Sequence, residues 1–245
     1  PEFPAAVGMR SLTEARVMDV IFGAFAQVVP ERLPACPASG GPLMNVNSVD
    51  HRTGRRVVAS IDPISGGAGG NPHEDGADGS GANSSFLKNT PVEINEAEVP
   101  IRILRYGLTQ DSAGAGRFRG GMATELEFKV YAPNTKITAR NRDRSRFRAW
   151  GIMGGRAGGS STFLLNPGSN REVDLGNTDI LTVAPGDVIK IACGGAAGWG
   201  NPWERPAEDV LMDVKRGFVS PEGAERDYGV TLVNGGINEA ATVRR

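Results

Sequence analysis

MATELEFKVYAP, residues 122–133, decides the fold. Leu126, Phe128 and Val130 alternate there with Glu125, Glu127 and Lys129, a period of two that turns one set of side chains to a core and the other to water. The stretch reads as a strand with one wet face. RRVVASI (55–61) and PIRILRY (100–106) precede it as short strands, and TKITARN (135–141), STFLLN (161–166), REVDL (171–175), DILTV (179–183) and DVIKIAC (187–193) follow. The turn sequences NPGSN (166–170), GNT (176–178) and APGD (184–187) separate the later ones. Strands so close together leave no chain for the helical crossovers that parallel pairing needs. The expectation is an antiparallel body, sandwich or barrel-like.

Helices bracket this body. In SLTEARVMDVIFGAFAQVVP (11–30), Ser11 and Glu14 have capping-box spacing, Val17, Ile21, Phe25 and Val28 share a helical face, and Pro30 ends the run. That stripe is expected to pack a core. RPAEDVLMDVKRGF (205–218) puts Val210, Leu211, Val214 and Phe218 on one face, and SPEGAERDYG (220–229) offers Ser220 as a cap, Pro221 in the first turn and Gly229 past the end. The fold class is α+β: mostly antiparallel β, with an N-terminal helix and C-terminal helices.

Composition narrows the function classes. A chain of 245 residues with 39% hydrophobic and 22% charged residues is an ordinary globular protein. A net charge of −1 announces neither nucleic acid nor a lipid surface as partner. The apolar run Val17–Val29, broken by Asp19 and Gln27, is too short for a bilayer and lacks the basic front end and small-residue cleavage pattern of a secretory signal; a cytoplasmic location is expected. Cys36 and Cys193 share no ligand spacing and read as buried, unpaired thiols. His51, in the turn DHRTGRR (50–56), and His73 are the only histidines, and neither belongs to a catalytic triad.

The 34 glycines are the anomaly, about twice the usual ~7%. PISGGAGGNPHEDGADGSGANSSF (63–86) holds seven and almost nothing apolar. It lacks the lysine of a phosphate-binding P-loop and the helix a dinucleotide fingerprint requires. His73, Glu74, Asp75 and Asp78 miss the EF-hand register, which leaves a looser divalent-metal site of His73, Asp75 and Asp78 open. Because aspartates before glycines form side-chain-to-backbone turns, an ordered loop with exposed amides is preferred to a slack linker.

Two further clusters stand out. Gly114, Gly116, Gly120 and Gly121 flank Arg117 and Arg119; the segment is either a seat for an anion, built of amides and guanidinium groups, or a tight hairpin with exposed arginines. TARNRDRSRFRAWGIMGGRAGG (138–159) has six arginines with Phe147 and Trp150 among them. In a chain that is not basic, salt bridging within or between subunits is preferred there to single-stranded nucleic acid.

Read in order, FPAAV (3–7), GGAGG (66–70), EDGADG (74–79), NTPVE (89–93), RYGLTQDSAGAGRFRGG (105–121), WGIMGG (150–155), LNPG (165–168), APGDVIKI (184–191), GGAAGWGNPWERP (194–206) and DVKRGFVSPEGAERDYGV (213–230) resemble the hydantoinase B/oxoprolinase family. The resemblance implies the carboxy-terminal portion of a B-type subunit: residues 1–95 as the remainder of an α/β catalytic region with the Gly/Asp-rich loop, and 96–245 as a β-rich domain ending in short helices. It implies an ATP-using A-type subunit and the amino-terminal part of the B-type subunit as partners in a hetero-oligomer. ATP and Mg would sit on the A-type partner, and a divalent metal such as Zn or Mn outside this chain. The implied reaction is phosphorylation and hydrolysis of a small cyclic amide, or, in related members, ATP-dependent carboxylation of a ketone; a noncatalytic assembly module is the competing class. The family pattern GxDGxDG followed by NTPxE falls on Asp75, Gly76, Asp78, Gly79, Asn89, Thr90, Pro91 and Glu93. Asp75 and Asp78 are then expected as polar or metal-proximal catalytic groups, with His73 beside them for a metal, and Asn89 and Glu93 as orienting residues. Gly76, Gly79, Thr90, Arg117 and Arg119 are expected to bind substrate or an anion.

Overall fold

The computed structural model of the chain describes residues 10–61, 65–81, 89–140 and 143–242. FPAAV and residues 82–86 of the glycine-rich loop lie outside them. In chain order the main elements are α1 (Arg10–Phe25), β1 (Leu43–Val49), β2 (Arg56–Ile61), α2 (Val92–Glu98), β3 (Ile101–Leu108), β4 (Thr124–Val130), β5 (Thr135–Arg140), β6 (Thr162–Leu165), β7 (Val173–Asp174), β8 (Ile180–Val183), β9 (Val188–Ala192), α3 (Ala207–Lys215), α4 (Pro221–Tyr228) and the short hairpin β10 (Leu232–Val233) with β11 (Gly236–Ile237). No described helix is long and apolar enough to cross a membrane.

Two antiparallel sheets form the body, one ordered β2-β1-β5-β8 and the other β3-β4-β9-β6-β7. Their inner faces meet in one cluster, where Met44 and Val46 of β1 and Ile137 of β5 join Leu126 and Phe128 of β4 and Ile189 and Ile191 of β9. The fold is therefore α+β with a β-sandwich, as the alternation in residues 122–133 implies. β1 pairs with β5 from Leu43↔Arg140 to Asn47↔Lys136, so hydrogen bonding in the first sheet runs straight across the expected domain limit at residue 95.

Glu125 departs from the wet-face reading. It is 3% exposed, covered by ion pairs with Arg105 of β3 and with Lys190 of β9. Register explains this: both cations lie directly opposite Glu127 and reach Glu125 on the diagonal.

The helices divide. Ser220 accepts the Gly223 N–H at 2.9 Å and Gly229 takes the left-handed conformation at φ 67°, so α4 is capped at both ends as expected. α1 is helical already at Arg10, which places Ser11 inside it, and its apolar stripe does not pack the core: Val17, Ile21, Phe25 and the following Val28 are all exposed. Its opposite side meets the body instead. Arg144 Nη2 donates to Asp19 Oδ2 at 2.9 Å, Ser39 Oγ donates to Asp19 Oδ1 at 3.0 Å, and Gly23 lies against the Trp150 ring. Arg144 also donates to the carbonyls of Pro37 and Ala38 and to Cys36 Sγ, bonds that hold it in the left-handed region at φ 62°.

Between the sandwich and α3 and α4 lies a layer rich in glycine and alanine. Stretches around residues 35–38, 66–70, 114–121, 155–158 and 194–198, neither helix nor strand, bond to one another through their backbones: Gly70 N to Ala197 O at 3.0 Å, Gly121 N to Ala68 O at 2.8 Å, Gly114 N to Ala196 O at 2.8 Å, Gly198 N to Arg156 O at 3.0 Å. A Cβ at Gly67 would overlap the Gly121 backbone, and one at Gly195 the Ser112 carbonyl. Neither glycine has positive φ, so space and not backbone freedom demands it. The paired glycines are thus packed main chain rather than slack chain.

Candidate functional site

The EDGADG loop is the edge of this layer, and it holds its neighbour by one device used twice. Asp75 Oδ1 accepts the Arg119 N–H at 2.9 Å while Gly76 N–H donates to Arg119 O at 2.8 Å. Three residues on, Asp78 Oδ1 accepts the Met122 N–H at 2.8 Å while Gly79 N–H donates to Met122 O at 3.0 Å. Each Asp-Gly pair satisfies the donor and the acceptor of one residue across the gap, as buried backbone requires. Glycine follows each aspartate for its own reason: a Cβ at Gly76 would strike the Ala68 carbonyl, and Gly79 has φ 60°. Ahead of the loop Asn71 Oδ1 accepts from the N–H groups of His73 and Glu74, a side-chain-closed turn that aims Asp75 inward.

Two buried arginines complete the network. Arg119 Nη1 and Nη2 donate to Asp78 at 2.8 and 3.3 Å, and its guanidinium stacks on Phe218 at 4.9 Å. Arg205 donates to both Asp75 oxygens at 2.7 Å and from Nη2 to Asp213 of α3 at 2.9 Å. Burial alone would raise the Asp75 carboxyl, but the hydrogen bond and charge of Arg205, with Arg119 behind it, hold it below the ordinary value. Burial pushes Asp213 up against the pull of the same two arginines. Both arginines are held charged, since the aspartates outweigh the cost of burying them.

Two cavities flank the loop. The larger, about 430 Å³, has Asp75, Arg117, Phe118, Arg205 and Met212 in its wall. The other, about 300 Å³, is lined by Ser65, Asp78, Gly79, Asn89, Tyr106 and Thr124 among others. The structure therefore brings Asp78, Gly79 and Asn89 together and puts Asp75 and Arg117 in the neighbouring cavity. Gly76 is buried under the loop, and Thr90 and Glu93 line neither cavity; Glu93 is exposed in the first turn of α2.

Arg119 is not a free anion contact, because Asp78 and the Gly120 carbonyl occupy its Nη1. Asp75 and Asp78 have their carboxylates taken up by guanidinium and backbone donors. His73 is exposed, and no group of three His, Cys, Asp or Glu side chains among the described residues could hold a metal ion. Sequence reasoning missed Arg205 and Asp213. The signal was present for Asp213, a carboxylate in the same helical stripe as Val210 and Val214.

An antiparallel sandwich is thus joined by close-packed glycine chains to a small helical end, with an arginine-aspartate network at the seam. A model of the hydantoinase B/oxoprolinase family matches residues 1–202, and the chain belongs to that family. An uncharacterized protein of Methanocaldococcus jannaschii is 36% identical over 95% of this chain and 40% of its own length. Caprolactamase subunit beta of Pseudomonas jessenii is 33% identical over 91% of the chain and 40% of its own length. The crystal structure of the ATP-dependent caprolactamase from Pseudomonas jessenii superposes with a TM-score of 0.74 at 29% identity, covering 89% of this chain and 39% of that one. The chain thus spans about two fifths of the length of each of these two relatives.

Proposed function

We propose that this chain is part of the B-type subunit of an ATP-dependent cyclic amide hydrolase of the hydantoinase or oxoprolinase kind. It acts in the cytoplasm with an ATP-using A-type subunit and with the polypeptide that completes the B-type subunit. The observation that supports this reading is the cavity of about 300 Å³ where Asp78, Gly79 and Asn89 meet, in a chain one-third identical to caprolactamase subunit beta. Its volume is at the lower end for small-molecule sites, which suits a single small ring.

A ring amide is locked cis, with N–H and C=O on one edge. The Asn89 carboxamide carries a matching acceptor and donor, and can pair with that edge at two points. Asp78, fixed by Arg119 and by the Met122 N–H, holds the wall of the cavity in place and orients the loop. Arg117, exposed beside the larger cavity, is available to an anionic group. ATP with Mg on the A-type subunit supplies the phosphoryl group that activates the amide oxygen, and a zinc or manganese ion belongs to residues outside this chain.

The test is ATP turnover by the assembled complex. A lactam or hydantoin alone should stimulate it, with ring-opened product formed in step. Turnover that requires bicarbonate and a ketone would replace hydrolysis by carboxylation, and full hydrolysis by this chain alone would remove the need for partners.

A further inference from the structure

Gly107 is a glycine that the fold itself does not require. It lies inside β3, where glycine gives up conformational freedom and packs nothing. Its φ is not positive, and the register of β3 with β4 shifts between Ile103 and Arg105, not at 107. A Cβ at 107 meets nothing within 4 Å, whereas at Gly67 and Gly195 main chain stands in the way. Backbone freedom, a bulge and close packing are all absent as causes.

What remains is position. Gly107 lines the cavity of about 300 Å³ with Asp78, Asn89 and its own neighbours Tyr106 and Leu108. β3 is the outermost strand of its sheet, so one side of it pairs with no strand among the described residues. Thr109 N–H donates to Ala123 O at 2.8 Å, and alternate residues of an antiparallel strand turn their main-chain groups the same way. Gly107 therefore bonds toward β4, and Leu108 turns its N–H and C=O to the outer side. Thr124, opposite Leu108, agrees with this: its N–H donates to Ser65 O and its carbonyl accepts the Cys193 N–H, neither of them in β3.

A glycine inside a strand with no internal cause marks a place where a ligand comes close to main chain. We infer that position 107 sets the size of ring the smaller cavity admits: with no side chain there, a cyclic amide lies against the edge of β3, within reach of the outward Leu108 N–H and C=O. A side chain at 107 stands in the space the ring needs, and large rings are lost before small ones. The inference rests on the reading of this cavity as the substrate site and adds what limits the substrate.

The experiment measures the affinity of 2-pyrrolidinone, a five-membered lactam, and of ε-caprolactam, a seven-membered one, by ligand-detected NMR on the assembled complex without ATP. Wild type, Gly107→Ala and Gly107→Val are compared. Alanine and valine are both accommodated in a strand with open space at the Cβ, so each variant should melt within a few degrees of wild type. Wild type is expected to hold both rings. Gly107→Ala should weaken ε-caprolactam about 10-fold and Gly107→Val about 100-fold, with 2-pyrrolidinone changed less than about 3-fold, since one methylene in a tight pocket is worth about 10- to 200-fold. Parallel loss of both rings, unchanged affinity for both, or a wild type that holds neither or only the smaller overturns the proposal. If the rings bind as expected and neither stimulates ATP turnover, the Gly107 assignment stands and the hydrolase reading fails. If both rings drive turnover with the same kcat/KM in all three proteins, hydrolysis stands and Gly107 has no part in selecting the ring.

Discussion

Arg205 forks onto Asp75, 2.7 Å to each carboxylate oxygen, across 130 residues of sequence. Through the same Nη2 it reaches Asp213 at 2.9 Å, so one guanidinium ties the Asp-Gly loop to α3. Removing one member of a buried pair costs more than the pair contributes, because the other charge is left behind. Asp75→Asn should cost about 3 kcal/mol, the low end for such a change since Asp75 is partly exposed. In a chain of this length that lowers the melting temperature by roughly 10 °C. Arg205→Lys keeps the charge but not the fork, and should fall between. Scanning calorimetry checks both, and an unchanged transition in Asp75→Asn would show the network idle.

The same pair predicts a pH dependence. Asp75 is held below its ordinary value of 3.8, so its ionised form stabilises the fold at every pH above about 4 and that stability is lost as pH falls through the lowered value. Asp213 works in the opposite sense: its raised carboxyl takes up a proton earlier than in the unfolded chain, and that uptake favours the fold as pH falls. The stability gap between wild type and Asp75→Asn should stay level from pH 8 to 5 and close below about 4. Urea titrations at half-unit pH steps would show it; a gap already closing at pH 6 contradicts the assignment.

Space in the glycine layer can be tested with two alanines. A Cβ at Gly195 would overlap the Ser112 carbonyl, whereas one at Gly107 in β3 meets nothing within 4 Å. Gly195→Ala should cost about 3 kcal/mol or more, since neither backbone can yield. Gly107→Ala should be neutral or stabilising by roughly 0.5 kcal/mol. Equal melting temperatures for the two variants would mean that the layer tolerates side chains.

Asn89 is exposed in the wall of the smaller cavity, so its truncation should leave the fold intact. In the assembled complex Asn89→Ala should lower kcat/KM for a lactam about 10-fold, the loss of one or two hydrogen bonds to the ring amide. An unchanged kcat/KM beside an unchanged melting curve would take Asn89 out of the site.

What the sequence made legible was local. Strands β4, β5 and β9 follow from alternation, and α4 from Ser220, Pro221 and Gly229. β1 was missed although it is central to its sheet: Met44 and Val46 alternate there with Asn45 and Asn47, but asparagine is depleted in strands, and the pattern ends on a buried Ser48 and an exposed Val49. For α1 the stripe was visible but its direction was not: periodicity shows that one face is apolar, and only Asp19 and Gly23 show which face the body takes. The Asp75 and Asp78 turns were readable as turns. Their partners, 44 residues away at Arg119 and Met122, leave no mark within the loop itself.

The layer in which Gly67 lies on Gly121 has a consequence for how such a protein can change. An interior of leucines and valines tolerates drift, since a methylene lost on one residue is replaced by growth on the next. Where main chain rests on main chain there is no neighbour able to grow or shrink. Variation at this seam is confined to the residues whose side chains point out of it, among them Asn89 and Arg117 in the walls of the two cavities at its margins.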